Sequence, residues 1–386
     1  MSDLVSVGIP LTETFEGLTG TVDSILSQTH RTFEIVLVDD FGDDDDDNPA
    51  KVLAERDDRI VYIKTPGHFG ILPSHAEALA RSKGMYFMWI GVGDTLDPKF
   101  LSACVNRLKK KRDLSMVVGS SRGADSDDDT PLNIGEEDPV RRVESFLESE
   151  IGLDLWYGMF RRPYVATIPF RNAVGFEMAL LSEVAFGGKI ETVSEALCVR
   201  RIPAVVDSES EASEEPDAEF DMAASTGKAL GVPDFQLGDP YLVLAVQLFC
   251  NIAFISNNFA ALPKIDRLRL AVHAYTRVAE RYGIADEGQF ISFAVRIYPE
   301  ARITEKLHEV RHYLSATLYS QKESKAVFEP LSRAGDIING LCRLKIGRLP
   351  ATQKEREIVA KIRDRFDKSQ SEAFKNRAIL ALALFL

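Results

Sequence analysis

The first half of the chain alternates short apolar runs with segments in which apolar residues recur at helical spacing. The runs have the pattern of strands and lie at 4–9, 33–38, 59–64 and 85–90. Helical spacing predicts helices at 17–28 and 71–82, and Pro10 is predicted to end the first strand. The order strand, helix, strand, loop, strand, helix, strand predicts a Rossmann-like, mostly parallel α/β sheet flanked by helices.

The second half of the chain has a different pattern. Acidic and small residues dominate 206–232, which indicates a solvated linker. Beyond it, several segments with helical periodicity predict an α-helical C-terminal domain. We therefore expect a first domain at 1–205, the acidic linker at 206–232 and the helical domain at 233–386. The apolar end at 378–386 fits a final core helix or a helix that contacts a membrane surface.

Composition narrows the classes of function. The chain has 386 residues and a formal net charge of −13, so a broad nucleic-acid-binding surface is not expected. Its four cysteines show no metal or redox spacing, which is typical of a reducing compartment. The sequence shows neither a signal peptide nor an apolar stretch of about 20 residues that would span a membrane. The expected location is the cytoplasm, with the inner face of the membrane as an open alternative.

Three carboxylates follow predicted strands. Asp39 and Asp40 end the second strand, and Asp94 comes just after the fourth, behind the glycine-rich turn 91–93. Carboxyl ends of parallel strands meet at one edge of the sheet, so these acids are expected in one crevice. There they could bind a base or ribose, hold a divalent cation or cap the next helix. For Asp94 the alternative is a cap for a helix beginning at Pro98.

The order of several motifs resembles that of family-2 glycosyltransferases, over about residues 3–202. The motifs are Val5–Pro10, Ser24–Gln28, Glu34–Asp40, the positions Gly70, Ala78, Leu79 and Gly84–Tyr86, Tyr157–Arg162, Gly175–Glu177 and Ile190–Arg200. This resemblance implies an A-type nucleotide-diphospho-sugar transferase fold. It also implies inverting transfer of a sugar from a nucleotide-diphospho-sugar to a saccharide or lipid-linked acceptor.

The resemblance assigns roles to individual positions. Asp39 and Asp40 would hold the base and ribose, and Glu177 would be the general base. A terminal acid of the helix that begins near Glu177 is the alternative for that residue. The remaining positions of the implied nucleotide-sugar site are Pro10, Leu11, Glu13, His68, Gly70, Gly93, Asp94 and Arg200.

The sequence departs from the family at the metal-binding motif. The family's Asp-x-Asp falls on Gly91-Val92-Gly93, so both acids are missing and the neighbouring Asp94 remains. Asp94 could hold Mg²⁺ or Mn²⁺ with the diphosphate and water completing the shell. Alternatively, His68, His75 or Arg200 could supply positive charge without a metal. A further alternative is a catalytically silent module that binds or assembles partners.

One more motif lies in the second half. His308, Glu309 and His312 spell the H-E-x-x-H of zinc metallopeptidases, in which two histidines share a helix face. Arg311 would place a cation beside such a metal, and no clear third ligand follows. Ordinary neighbours on a solvent-facing helix are the simpler interpretation. The peptidase is therefore retained only as a remote alternative.

Overall fold

The structure is a computed structural model, and it divides the chain into two compact units, Met1–Gly238 and Asp239–Leu386. The residues that it describes are 3–41, 47–67, 70–122, 132–149, 158–171, 173–199, 232, 236 and 238–284.

The described part of the first unit is built on a nine-stranded sheet in the order β3-β2-β1-β4-β8-β6-β9-β5, with β7 paired to β9. The strands are β1 Val5–Leu11, β2 Phe33–Asp39, β3 Ile60–Lys64, β4 Tyr86–Trp89, β5 Thr95–Leu96, β6 Leu114–Arg122, β7 Asn133–Ile134, β8 Met159–Arg161 and β9 Lys189–Val199. Strands β1 to β4 are parallel to one another. Strand β8 is antiparallel to β4 and β6, so β6 and β9 run in the direction of β4. The predicted mostly parallel α/β sheet is confirmed.

Helices cover both faces of this sheet. They are α1 Leu18–Leu26, α2 Pro49–Arg56, α3 Ile71–Arg81, α4 Phe100–Lys110, α5 Pro139–Glu148, α6 Arg162–Val165 and α7 Phe176–Gly187. The apolar face of α1 packs in one core cluster with Val5, Val7 and Ile9 of β1. Helix α3 packs on the other face, where a Cβ added to Gly8 would lie 2.9 Å from Ala78 Cβ. The glycine allows this close approach of helix and strand.

Strand β1 continues through Pro10, contrary to the prediction that this proline ends it. Pro10 and Leu11 pair with Val38 and Asp39 of β2. Gly8 O faces β4, because it accepts from Ile90 N at 3.1 Å. The backbone polar groups of residues two apart in a strand point to the same side, so the N–H that Pro10 lacks would also face β4. The β1–β4 ladder has ended there. The proline therefore costs β1 no hydrogen bond, and the two strands separate beyond it.

Helix α2 replaces the loop that was predicted between the second and third strands. The Asn48 side chain caps it by accepting from Ala50 N at 2.9 Å and Lys51 N at 3.4 Å. Pro49 occupies the first helical position, where its missing N–H needs no partner. The Asn-Pro pair was the sequence signal for this helix.

In the second unit, α8 (Pro240–Cys250) continues into a π-helical turn at Asn251–Ile255 and is followed by a 3₁₀ turn and α9 (Lys264–Arg281). Every residue of α8 except Tyr241 is buried, and Tyr241 stacks on Tyr282 with ring centroids 4.1 Å apart. Among the described residues, no helix has the length and apolar character that crossing a bilayer requires. Most of the predicted linker 206–232 and everything after 284 lie outside the described residues, so the domain boundaries stay predictions.

Candidate active site

The candidate site lies at the carboxyl ends of β1, β2 and β4. Strand β1 is flanked by β2 on one side and β4 on the other, so the strand order reverses direction there. In open α/β sheets, such a switch point forms a crevice outside the carboxyl ends of the strands. Asp39 and Asp40 end β2, and Asp94 follows β4 by five residues. The expectation that the three acids share one edge of the sheet is met.

Asp39 is fully buried and serves as a hub for the end of β2. Its Oδ2 accepts from Asn48 Nδ2 at 2.8 Å and from Tyr62 Oη at 2.9 Å. Its Oδ1 accepts from Phe41 N at 3.2 Å and lies 3.5 Å from Lys64 Nζ. Four contacts match the acceptor capacity of a carboxylate. Asp39 therefore fixes the start of α2 and the end of β3 relative to β2.

Asp40 connects β2 to the start of α3. One oxygen accepts from Thr65 Oγ1 and the other from Gly70 N, each at 2.7 Å. Gly70 caps α3 with a φ of 90°, a conformation that favours glycine. Asp40 therefore holds the N-terminus of α3 at the same edge as the acids. His68 lies outside the described residues.

The segment after β4 is a tight turn held by α1. Gly93 has a φ of 94°, and its N–H donates to Thr21 Oγ1 at 2.8 Å. Asp94 follows and is buried, with 7% of its surface exposed. Asp94 does not cap the next helix, because α4 starts at Phe100, whose N–H donates to Asp97 O at 2.9 Å. The helix-cap alternative for Asp94 is therefore wrong.

The end of β9 lies beside Asp94. Strand β5 follows Asp94 directly and pairs Thr95 with Val199 and Leu96 with Cys198. Burial and the Asp94 charge raise the pKa of Cys198 to about 12, so its thiol stays protonated at neutral pH. Arg200, the next residue after β9, lies outside the described residues.

Glu177 lies in the first turn of α7. Because α7 leads into β9, which runs parallel to β4, the helix begins toward the carboxyl edge of the sheet. A chain of aromatic contacts agrees: Phe176 packs on Phe170 at 4.6 Å, and Phe170 on Trp89 at the end of β4 at 5.9 Å. Desolvation raises the pKa of Glu177 above its ordinary value. Glu177 is thus a carboxyl group at this edge whose charged form is disfavoured by burial.

His75 lies in an environment that disfavours its charged form. It is buried in α3, and its Nδ1 lies 2.8 Å from Ile71 O. Burial lowers the pKa of His75 to about 4, so the ring is neutral at pH 7. Burial therefore disfavours the alternative in which His75 stabilises a diphosphate as a cation.

The first loop contributes less than expected through side chains. Leu11 is fully buried in the core, and its carbonyl accepts from Asp40 N at 2.9 Å. Pro10 is buried and Glu13 is exposed. Among these three positions, only Glu13 therefore presents a solvent-accessible side chain to a ligand.

The donor set for a metal ion is small. In the described part of the chain, no group of three or more His, Cys, Asp or Glu side chains could hold a metal ion. Asp94 is the one carboxylate of the turn 91–94, because the residues before it are Gly91, Val92 and Gly93. A single carboxylate suits Mg²⁺ or Mn²⁺ only where phosphates and water supply most ligands.

Comparison with known proteins identifies this part of the chain. Residues 6–162 match the family model described as Glycosyl transferase family 2. They form a family-2 glycosyltransferase domain. The matched segment includes Asp39, Asp40 and Asp94 but ends before Glu177.

Relatives of the glycosyltransferase domain align over about a third of the chain. The glycosyltransferase GlyG of Streptococcus pneumoniae is 26% identical over 128 residues, which cover 33% of this chain and 42% of that protein. An uncharacterized glycosyltransferase of Rickettsia felis is 32% identical over 116 residues, covering 30% and 19%. The chain thus spans less than half the length of these relatives. Among solved structures, S. aureus TarS 1–349 in complex with UDP-GlcNAc is similar, with 15% identity, a TM-score of 0.42 and coverage of 79% of this chain and 91% of that one.

Sequence reasoning missed the residues that hold the acids of the glycosyltransferase domain. Asn48, Tyr62 and Lys64 surround Asp39, and Thr65 and Thr21 bind Asp40 and the turn before Asp94. Tyr62 and Lys64 alternate at the end of β3, so their shared direction could have been inferred from the period of a strand. Thr21 carried no such signal, because its partner lies 72 residues away.

Proposed function

We propose that this chain transfers a sugar from a nucleotide-diphospho-sugar to a hydroxyl of a saccharide or lipid-linked acceptor, with inversion. One observation supports the proposal: Asp39 and Asp40 end β2 and Asp94 follows β4, within the segment that matches the family-2 model and at the edge where β1 and β4 separate. In the proposed complex, the nucleoside lies toward β2 and the diphosphate toward the turn that carries Asp94. The reacting sugar then lies between that turn and the start of α7.

Glu177 is the proposed general base. It takes the proton of the acceptor hydroxyl while that oxygen attacks the anomeric carbon. The bond from this carbon to the diphosphate oxygen breaks, and its electron pair leaves with the diphosphate. Attack from the face opposite the leaving group inverts the anomeric centre. The raised pKa of Glu177 supports this role, because a general base works best when its pKa lies near the pH of the reaction.

A metal ion remains a conditional part of the proposal. Asp94 would be its one protein ligand from the turn, and the ion would neutralise charge on the departing diphosphate. Gly91 and Gly93, at the positions of the family's two metal-binding acids, have no side chain that could hold a metal. They favour a second candidate: a domain that binds a nucleotide sugar without transferring it. Both candidates require nucleotide binding, and only the first requires turnover.

The experiment measures binding and then turnover with the full chain. Titration calorimetry with UDP, GDP and their sugars, with and without Mn²⁺, is expected to show binding of at least one nucleotide. Donor hydrolysis by the wild type and by Glu177→Gln then separates the candidates. Transfer is supported if hydrolysis falls by about 10²-fold or more in the variant. Binding without wild-type hydrolysis favours the silent module, and absence of binding to every nucleotide refutes both.

A further inference from the structure

The face of α1 toward the turn after β4 carries a stripe of polar side chains. Thr21 and Ser24 lie on one side of α1, and Gln28 follows two residues after the helix ends at Leu26. We name these three residues the polar stripe. Thr21 and Gln28 are fully buried, although polar groups normally stay in water unless they are bonded.

Each member of the polar stripe binds the main chain between β4 and α4. Thr21 Oγ1 accepts from Gly93 N at 2.8 Å, and Ser24 Oγ accepts from Leu96 N at 3.2 Å. Gln28 binds twice, as its Oε1 accepts from Leu101 N at 3.0 Å and its Nε2 donates to Asp97 O at 2.7 Å. The two bonded residues Gly93 and Leu96 enclose Asp94. The stripe therefore fixes the main chain on both sides of this carboxylate.

Two of the four residues in the turn 91–94 are glycines. Gly91 and Gly93 have no side chains to pack, and a glycine loses more conformational freedom on folding than any other residue. The φ of 94° at Gly93 is one of several conformations open to it. A hydrogen bond from its N–H to the buried Thr21 hydroxyl selects that conformation and, with it, the direction of Asp94.

We propose that the polar stripe positions Asp94 for the diphosphate of the donor, and that Thr21 is the member on which this positioning depends most. The inference rests on the proposed function, since it concerns the diphosphate end of the same site. Thr21 is a positioning residue, because it acts through Gly93. The proposed nucleoside end of the site lies at Asp39 and Asp40, to which no side chain of the polar stripe hydrogen-bonds in the described structure.

The test compares two ligands that differ only in the diphosphate. Dissociation constants of UDP and uridine are measured by calorimetry, with and without Mn²⁺, for the wild type and for Thr21→Val. The valine keeps the shape of the side chain and removes the acceptor. In the presence of Mn²⁺, we expect the preference for UDP over uridine to fall about three- to ten-fold, the range of one net hydrogen bond, while uridine binding is unchanged. Thr21→Ser is expected to retain the preference.

Ser6→Ala is the matched control. Ser6 Oγ also accepts from a glycine N–H at 2.8 Å, that of Gly84, but at the amino edge of β4. It also donates to Glu34 Oε1 at 2.6 Å, so its loss lowers the melting temperature. A purely structural role predicts that both variants lose stability without changing the preference for UDP. The positioning role predicts that only the valine variant changes it.

Ser24→Ala provides a milder second variant should Thr21→Val fail to fold. The preference of this variant for UDP over uridine is expected to fall about two-fold, near the lower limit for the loss of a hydrogen bond. A wild-type preference in both Thr21→Val and Ser24→Ala would overturn the inference and leave the proposed function intact. If the wild type binds neither UDP nor any other nucleotide, the proposed function fails first, and the positioning role fails with it.

Discussion

Replacing His75 by Asn tests the electrostatic description of the site through the pH dependence of stability. In the unfolded chain the imidazole titrates near its ordinary pKa of 6.5, whereas burial lowers the pKa of His75 to about 4 in the folded chain. Between these values the unfolded state binds more protons. The free energy of unfolding therefore falls as the pH is lowered from about 7 toward 4.

The magnitude follows from the two pKa values. A difference of one pKa unit corresponds to about 1.4 kcal/mol, so acidification removes about 2 kcal/mol by pH 5 and about 3 kcal/mol by pH 4. His75→Asn keeps an N–H that can donate to Ile71 O and removes the titrating group. Other groups contribute equally to both proteins, and the difference between the two stability curves isolates His75.

The assay is urea unfolding followed by tryptophan fluorescence from pH 7.5 to pH 5. Trp89 is a suitable reporter, because its ring centroid lies 5.9 Å from that of His75. Ser74→Ala is the control: it lies next to His75 on α3, is fully buried and has no titrating group, so its curve should keep the wild-type slope. Parallel curves for wild type and His75→Asn would refute the reasoning. A wild type that gains stability relative to His75→Asn on acidification would indicate a charged His75 and restore its candidacy as a cation at the site.

Three further substitutions test separate features. Glu177→Gln should stabilise the chain at pH 7, because a carboxyl group whose pKa is raised by folding costs stability once it is ionised. If Glu177 instead stabilises the helix terminus, the variant should be less stable by about 0.3–1 kcal/mol. Thermal melting at pH 7 and pH 4.5 shows whether the variant gains or loses stability. Gly93→Ala should lower the free energy of unfolding by about 1–2 kcal/mol, because Gly93 has a φ of 94°. The control Gly20→Ala lies in α1, where an added Cβ meets open space, and should raise it by about 0.5–1 kcal/mol. Equal effects of the two variants in urea unfolding would contradict the backbone argument. Arg142→Met should cost at least about 3 kcal/mol of unfolding free energy, since the buried guanidinium donates to four main-chain carbonyls, those of Glu136, Glu137, Ala185 and Phe186. The control Arg141→Met removes an exposed side chain paired with Glu144 and should change stability by less than about 0.5 kcal/mol. Similar losses in the two variants would show that the Arg142 hydrogen bonds do not stabilise the fold.

The parallel sheet was predictable because its strands are rich in apolar residues and two of the three connections between the first four carry a helical pattern. The same logic placed Asp39, Asp40 and Asp94 at one edge, as parallel strands end together. The prediction failed at Pro10, because the sequence of one strand does not show that its end pairs with a neighbour on one side only. It failed also at α2, which is held by its Asn48 cap and the Asp39 hub more than by an apolar stripe.

The chemistry at the site was harder to predict, because burial decides it. His68, His75 and Arg200 were equivalent cations in the sequence, yet the three-dimensional environment of His75 keeps its ring neutral. Likewise, Asp39 and Asp40 are adjacent acids in the sequence but bind different elements, Asp39 the start of α2 and Asp40 the start of α3. Neither distinction has a local sequence signal.

The loss of the family's Asp-x-Asp changes what the remaining structure must provide. With two side-chain ligands in the turn, a bound metal would itself hold the loop in place. With Gly91 and Gly93 in their positions, that constraint has to come from elsewhere, and the hydrogen bond between Gly93 and Thr21 is the one that reaches the turn from α1. If Asp94 acts on a diphosphate, its direction is therefore set by α1 before any donor binds. A Mn²⁺-dependent preference for UDP over uridine that Thr21→Val weakens would be the direct consequence.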